Sequence, residues 1–576
     1  MMILNKIKTV IRTFIKKSKF NFYFLILLGL FNVIFLMFAL FFHDIFFEVD
    51  GFILCLYHQD IVSNVVPPIG SEYWPPGIPV LIGLFSILTG DFFIVGKIIM
   101  VEFSILFLFS VYILINKIFN EKIAFFTFLF IATNHVSVNN FSYILSDIPS
   151  AALIILSMCF LIDDLNKSKS SVVYSSIFLG LATMIRWSGL FFLPILIFKI
   201  VFDCFKKSPI SFNKKIRNVV LITAKCVFVF LLIVSPYLIL NTIWHGTPFF
   251  NDNIRNVYIS MQRYSGSYSS SQPFPKLSWG WIFFGSESNV FYLQLIYSLF
   301  IEYPVLFLQY LFYYNIPVIN RFYELDSLII VLSWALLICV FIGFYLNFKT
   351  KQKERKNSSS LQNLFPIFII IVFFILASMG FALFRFLYPI LPLLIAPLIF
   401  IVIFVLNHVF KLLQKFRLKI RKLNNKVIRK ELISKFISVF LILLLSVQFF
   451  GTIVDIAFDR DEAVEYKIAG EFLKEKVNDE DIIIAGFRNY LYYIGKGNII
   501  GLPDSTDINK FFIEIQYADY LIICKRIEVA YANELNFLLN VTDSKIPGYL
   551  NPIFIYNETG KAIVIYNITL SFEMFL

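Results

Sequence analysis

Apolar runs about as long as a bilayer is thick recur along this chain, and they settle its class before any motif is considered. About 20 apolar residues are needed for a helix to cross the hydrocarbon core. Inside lipid only a helix or a closed barrel satisfies every backbone polar group. Runs of that kind cover 22–42, 92–116, 123–142, 147–163, 171–186, 188–203, 217–243, 327–348, 362–382, 387–410 and 432–454. The spacing therefore predicts an α-helical polytopic membrane protein with about eleven transmembrane helices. A water-soluble core has no use for a chain that is 59% hydrophobic with mean hydropathy +0.78. The run at 78–90, IPVLIGLFSILTG, is short and bounded by prolines and Gly90-Asp91. It reads as an interfacial or re-entrant helix, with a short span as the alternative.

Charge placement fixes the expected orientation. The net charge is +12, and the basic residues lie in blocks between the spans. That placement excludes the nucleic-acid reading of a basic chain and points to membrane topology. With a cytoplasmic N-terminus, the inner segments 1–20, 117–122, 164–170, 204–217, 349–361 and 411–431 hold 29 Lys and Arg. The outward segment 43–91 holds Lys and Arg nowhere, and 244–326 holds only Arg255, Arg263, Lys276 and Arg321. Counting 78–90 as a further span would place the basic blocks outside.

The expected organisation is a transmembrane catalytic domain, 1–454, with outward loops 43–91 and 244–326. Within the second loop, 291–316 is aromatic and apolar enough to lie along the membrane surface. Residues 455–576 alternate helix-like stretches such as AVEYKIAGEFLKEKV with strand-like ones such as DIIIAG, DYLIIC and AIVIYNI. They predict a small C-terminal α/β domain, extracytoplasmic if the span count is odd. Nothing in it matches a dinucleotide or phosphate-loop motif. The first apolar run lacks a small-residue cleavage pattern and reads as an uncleaved anchor. The six cysteines and five histidines show no metal spacing.

The residues that can carry chemistry gather on the outward side. The first loop contains Asp44, Glu48, Asp50, Asp60 and Glu72 without a basic partner, and closes on Tyr73-Trp74-Pro75-Pro76-Gly77. Like charges lift a carboxylate toward a base's working range. Asp50 lies within the apolar FFEVDGFILCLY, so it reads as packed, while Asp44 and Glu48 compete for the role. Asp147, in SDIPSAALIIL, sits at the outer mouth of a span. With Ser146 it makes a good helix cap, and capping competes with a part in a site. Arg186 stands alone in LATMIRWSGL, and Arg385 alone in GFALFRFLYPILP. Each can snorkel to headgroups or clamp a phosphate. Lys97 and Glu102, five residues apart in one helix, point apart; Lys97 reads as a headgroup ligand or a buried structural cation.

The ordered set YWPPGIP, TGDFFIVGK, SDIPSAALIIL, GLATMIRWSGLFFLP, NTIWHGTPFF and RFLYPILPLL resembles the GT-C superfamily of membrane glycosyltransferases. The likeness is to the dolichyl-phosphate-mannose protein mannosyltransferases and the 4-amino-arabinose lipid A transferases. It implies inverting transfer of one sugar from a polyprenyl-phosphate donor to a hydroxyl acceptor at the outer face. It also implies Asp50 as general base, and Asp147, with Glu48, as an acceptor-side or second carboxylate. Arg186 and Arg385 would bind the donor phosphate, with Lys97 a further candidate from its place near the outer helix end, and Tyr73, Trp74 and Pro76 would form the loop turn. This chain departs from the family in having Asp50-Gly51 where Asp-Glu is frequent, and Trp74 where some members carry Lys. The acceptor is a lipid, a glycan or a protein. The location is an integral, multi-pass one, in the cell membrane or, in a eukaryote, the endoplasmic reticulum. The sequence establishes no cofactor, and a divalent metal is compatible with the acids.

Two other readings compete. An oligosaccharyltransferase-like enzyme would move a whole glycan and use a divalent metal held by Asp50, Asp147 and Glu48. A flippase for lipid-linked saccharides would favour inverted repeats and midplane polar residues, and the chain shows neither.

Overall fold

The computed structural model describes residues 13, 18–42, 54, 71, 74–162, 169–206, 211–250, 288–311, 327–354, 365–377, 387–418, 438–439, 441–443, 445–453, 464–486, 493–503, 508–525, 535–558 and 561–569. Asp44, Glu48, Asp50, Glu72, Tyr73 and Arg385 lie outside the described residues.

The chain divides into two compact units. The first is helical. It begins with α1 (Lys19–Met37), started by the Ser18 hydroxyl accepting from the Phe20 N–H and ending in a π-helical turn, Phe38–Phe42. Helices α2 (Gly77–Thr89) and α3 (Phe92–Ile118) follow. Gly90, at φ +75°, ends α2, and Asp91 accepts from the N–H groups of Phe93 and Ile94 to start α3. This is the physical content of the TGDFF stretch: a left-handed stop, then a cap. At 13 residues, α2 is too short to span. Its exposed Leu84, Ile87 and Leu88 give it an apolar outer side.

Next come α4 (Glu121–Thr133), α5 (His135–Ser142), α6 (Asp147–Leu161) and α7 (Lys169–Ile185). A 3-10 turn, Trp187–Phe192, leads into α8 (Leu193–Lys206) and then α9 (Phe212–His245). The later helices are α10 (Ser288–Tyr297), α11 (Tyr303–Leu311), α12 (Ser327–Glu354), α13 (Phe365–Ala377) and α14 (Leu391–Leu418).

Among the described residues, six helices are long and apolar enough to cross a membrane, or seven if the pair α5 and α6, bent by 107°, counts as one. The sequence pattern predicts eleven. The difference arises partly because the run at 123–142 breaks at Asn134, whose extended backbone (ψ 132°) separates α4 from α5. Two other predicted spans, now α6 and α7, are 15 and 17 residues long. The stretch expected to lie on the surface at 291–316 also differs. Tyr303, Val305, Phe307, Leu308 and Tyr310 of α11 are buried, and Tyr310 bonds to α5 through its hydroxyl (2.8 Å to Ser137 Oγ).

The second unit carries α15 (Val464–Lys474), β1 (Ile482–Ala485), β2 (Asn498–Gly501), α16 (Ile508–Glu514), β3 (Tyr520–Cys524), β4 (Leu550–Glu558) and β5 (Lys561–Ile568). The five-stranded sheet has order β2-β1-β3-β5-β4, parallel through β3 and antiparallel beyond. Ile483, Ile484, Leu521, Ile522, Val564 and Ile565 are fully or almost fully buried, and Tyr466 and Leu473 of α15 join the same core. Edge strand β4 carries Pro552 and a register shift between Pro552 and Phe554.

Candidate functional site

The site begins where two helix ends are knitted together. Arg186 follows the last residue of α7 with an extended backbone (φ −155°, ψ 139°), and Gly189 then folds the 3-10 turn back onto α7. A Cβ on Gly189 would lie 2.6 Å from both the N and Oγ1 of Thr183, so only glycine permits this return. The turn presents Arg186 to the start of α6. Its Nη1 lies 3.0 Å from Asp147 Oδ1 and donates to Ser146 Oγ at 2.9 Å. Ser150 completes the seam, 3.2 Å from the Ser188 hydroxyl and 3.4 Å from the Ala182 carbonyl.

This geometry corrects the capping expectation. Ser146 stands at the cap position of α6, yet its side chain makes no cap hydrogen bond and turns to the guanidinium. The Asp147 side chain is 3% exposed and that of Arg186 is 19% exposed. The cation therefore keeps an accessible edge while the carboxylate that orients it is buried. A guanidinium so held, near the positive end of a helix, suits a phosphate oxygen.

The end of the first loop reaches the same place. Pro75 and Pro76 are buried and Trp74 half-buried. A Cβ on Gly77 would stand 2.5 Å from the Met184 carbonyl oxygen, two residues before Arg186. The turn at Trp74–Gly77 thus packs directly on the end of α7. Ser71 Oγ lies 3.2 Å from His245 Nε2 at the end of α9, and the His245 ring stacks on Phe250 at 4.4 Å. Asn241 shapes that hook, its Nδ2 donating to the carbonyls of Pro248 and Phe250. Trp187 packs on Tyr237 of α9 with ring centroids 5.2 Å apart. The N-terminus of α6, the C-termini of α7 and α9 and the loop turn therefore converge.

Lys97 takes a different position. It is 3% exposed, its Nζ donates to the Ala39 carbonyl at 2.7 Å, and it lies 4.4 Å over the Phe93 ring. The π-turn of the first helix offers that carbonyl, so Lys97 anchors the point from which the first loop departs. Glu102 instead accepts from Asn32 Nδ2, and the two do not pair.

Several residues escape sequence reasoning. Tyr388, three residues after Arg385, is fully buried and donates to the Val136 carbonyl at 3.3 Å. Asp147 and Tyr310 are its electrostatic neighbours, with Ser137 and Asn140 in hydrogen-bonding reach. Glu302, at the end of a π-helical turn (Ser298–Glu302), accepts from the Ser298 hydroxyl; burial pushes its carboxyl above the usual range and that hydrogen bond pulls it partly back. Lys199 and Asp203 form a buried 2.5 Å pair on α8. Their i,i+4 spacing inside an apolar run was a readable signal. Among the described residues no group of three or more His, Cys, Asp or Glu can hold a metal ion.

Known proteins place this architecture. The apo structure of ArnT from Cupriavidus metallidurans is similar with TM-score 0.54 at 12% identity, over 94% of this chain and 97% of that one. ArnT bound to undecaprenyl phosphate gives TM-score 0.53 at the same identity and coverage. The oligosaccharyltransferase AglB from Archaeoglobus fulgidus, in complex with an inhibitory peptide and a dolichol-phosphate, gives 0.53 at 14% identity, over 96% of this chain and 74% of that one. The fold is the one these ArnT and AglB structures share. Residues 74–240, less than a third of the chain, match the sequence model of the dolichyl-phosphate-mannose-protein mannosyltransferase family, and the long apolar helices mark an integral membrane protein. No curated protein matches it. The matched segment holds Trp74, Pro76, Lys97, Asp147 and Arg186.

Proposed function

We propose that the protein transfers a single sugar from a polyprenyl-phosphate donor to a hydroxyl acceptor at the outer membrane face, with inversion. The observation that carries this reading is Arg186, held by Asp147 and Ser146 where three helix ends and the first-loop turn meet. Asp50 takes the proton from the acceptor hydroxyl. The acceptor oxygen bonds to the anomeric carbon as the bond from that carbon to the phosphate oxygen breaks, and polyprenyl phosphate leaves with the electron pair. Arg186 and Arg385 stabilise the charge on that phosphate. A phosphate is a stable anion, so no second acid is needed. Asp147 orients Arg186, Lys97 sets the exit of the first loop, and Tyr73, Trp74 and Pro76 form the turn that closes it. Positive charge on the inner loops supports a cytoplasmic N-terminus, with 455–576 on the acceptor side.

The similarity to AglB supports a second reading, transfer of a whole glycan with a divalent metal. Asp147 suits that role poorly, because Arg186 already faces one of its oxygens at 3.0 Å. The test is transfer by the purified protein from a panel of undecaprenyl-phosphate-linked hexoses and pentoses. Asp50→Asn is expected to lower the rate by about 100-fold or more. Near-normal turnover in that variant would move the base to Asp44 or Glu48, and a wild type that transfers none of the sugars would sink the reading.

A further inference from the structure

Helix α5 is an unusual thing to place inside an apolar bundle. Its eight residues, HVSVNNFS, include five polar ones, and His135, Ser137 and Ser142 are buried. Polar groups in such surroundings are costly and need partners. Ser137 has the Tyr310 hydroxyl, and Ser142 donates to the Asn139 carbonyl at 2.9 Å.

The two asparagines behave differently. Asn139 Nδ2 lies 3.0 Å from His135 Nε2, and Asn140 Nδ2 donates to the Val136 carbonyl at 2.6 Å. Each amide is thus fixed by a group one turn earlier, and Asn140 also lies within hydrogen-bonding reach of Tyr388. Asn139 Oδ1 is buried with no hydrogen-bond partner among the described residues. If the Asn139 amide were turned over, its NH2 would be the orphan instead. A hydroxyl, which both donates and accepts, satisfies either orientation. An orphan buried amide atom costs enough to need an explanation.

The position of the pair supplies one. Asn139 and Asn140 lie with Val136 and Tyr143 on the half-buried face of α5, while the opposite face is buried. Tyr388 meets that face at the Val136 carbonyl, beside Asn140, and Asp147 is its neighbour. Asn140 therefore shares a neighbour, Tyr388, with the carboxylate that holds Arg186. The two amides carry no charge, so they suit neutral hydroxyls rather than an acidic or phosphorylated group.

We infer that Asn139 and Asn140 form a hydroxyl-binding subsite that orients a neutral saccharide ring beside Asp147 and so determines sugar specificity. This rests on the glycosyl-transfer reading above. The ring belongs either to the lipid-linked donor or to a glycan acceptor, and two measurements separate these sources. Asn139→Ala and Asn140→Ala keep or raise helix propensity. For each variant, binding is measured for bare undecaprenyl phosphate and for the undecaprenyl-phosphate sugar that the wild type uses; KM for the acceptor is measured at saturating donor.

Binding of bare undecaprenyl phosphate is expected to stay within about twofold, which also reports an intact fold. Loss of one neutral hydrogen bond should weaken either the sugar-bearing lipid or the acceptor by roughly three- to tenfold per amide. Loss in the first measurement assigns the subsite to the donor, and in the second to the acceptor. Equal weakening of bare and sugar-bearing lipid would make the asparagines structural and overturn the inference. Unchanged constants in both measurements would do the same, leaving water as the partner. A wild type that transfers no sugar removes the glycosyl-transfer reading and this one with it. A wild type that transfers, with indifferent variants, removes this one alone.

Discussion

Arg186 and Asp147 invite a double-mutant cycle that separates holding the fold from holding the substrate. Two charges about 4 Å apart at an effective dielectric near 20 attract by about 4 kcal/mol before desolvation is counted. Asp147, 3% exposed, carries most of that desolvation. Arg186→Ala leaves a buried carboxylate without its cation 3.0 Å away, a loss of about 3–5 kcal/mol in stability. Arg186→Ala with Asp147→Ala removes the stranded charge as well, so the double variant should be less destabilised than the single one, by about 2 kcal/mol or more. Thermal unfolding in detergent reads this recovery. Transfer from an undecaprenyl-phosphate sugar should not recover, because the cation proposed to meet the leaving phosphate is still missing. Its rate should stay about 100-fold or more below wild type, the scale of losing one preorganised donor to a developing anion. A double variant that regains both stability and wild-type turnover would reduce the pair to a brace between α6 and α7.

Three further outcomes test the surroundings of the site. Gly77→Ala places a methyl group 2.5 Å from the Met184 carbonyl oxygen; backbone cannot yield cheaply, so unfolding should shift by about 1–3 kcal/mol with a parallel fall in turnover. Lys97→Met removes the ammonium that serves the Ala39 carbonyl; kcat should fall while the affinity for undecaprenyl phosphate holds, whereas a roughly tenfold loss of affinity would make Lys97 a phosphate ligand after all. Burial holds the Glu302 carboxyl above its ordinary 4.5, so its protonated form favours the fold. That contribution is complete below the unfolded value and fades as pH rises through the folded one. Glu302→Gln should flatten the decline that sets in above the ordinary 4.5, and an unchanged slope of unfolding midpoint against pH would refute it.

The parts of the fold readable from sequence are those with a local cause. Gly90-Asp91 announces a helix stop and a cap, and the structure uses it so. The loop turn and the Arg186 hairpin were visible as proline, glycine and a lone charge between apolar runs. The break at Asn134 has a weaker signal, because the run from 123 to 142 holds neither proline nor glycine and only the polar content of NHVSVNNFS marks the change. The partner of Arg186 was hidden for another reason. Asp147 is 39 positions away in sequence, and only the packing of α6 against α7 joins them. Ser146 has the sequence of a cap and the geometry of a guanidinium ligand. Lys97 shows the limit of helix-face arithmetic: spacing kept it from Glu102, but nothing local could name Ala39 as its acceptor. Tyr388 lay beside a noticed arginine and went unread, since a tyrosine in an aromatic-rich run carries no signal of its own.

The outermost strand of the sheet, β4, bears an imino residue and a bulge at Pro552 and Phe554, and the opposite rim, β2, is only four residues long. A neighbouring molecule laying a strand along either rim would meet a missing donor, a local kink or too short a template. Copies crowded together in one lipid bilayer are thereby discouraged from zipping into a continuous ribbon.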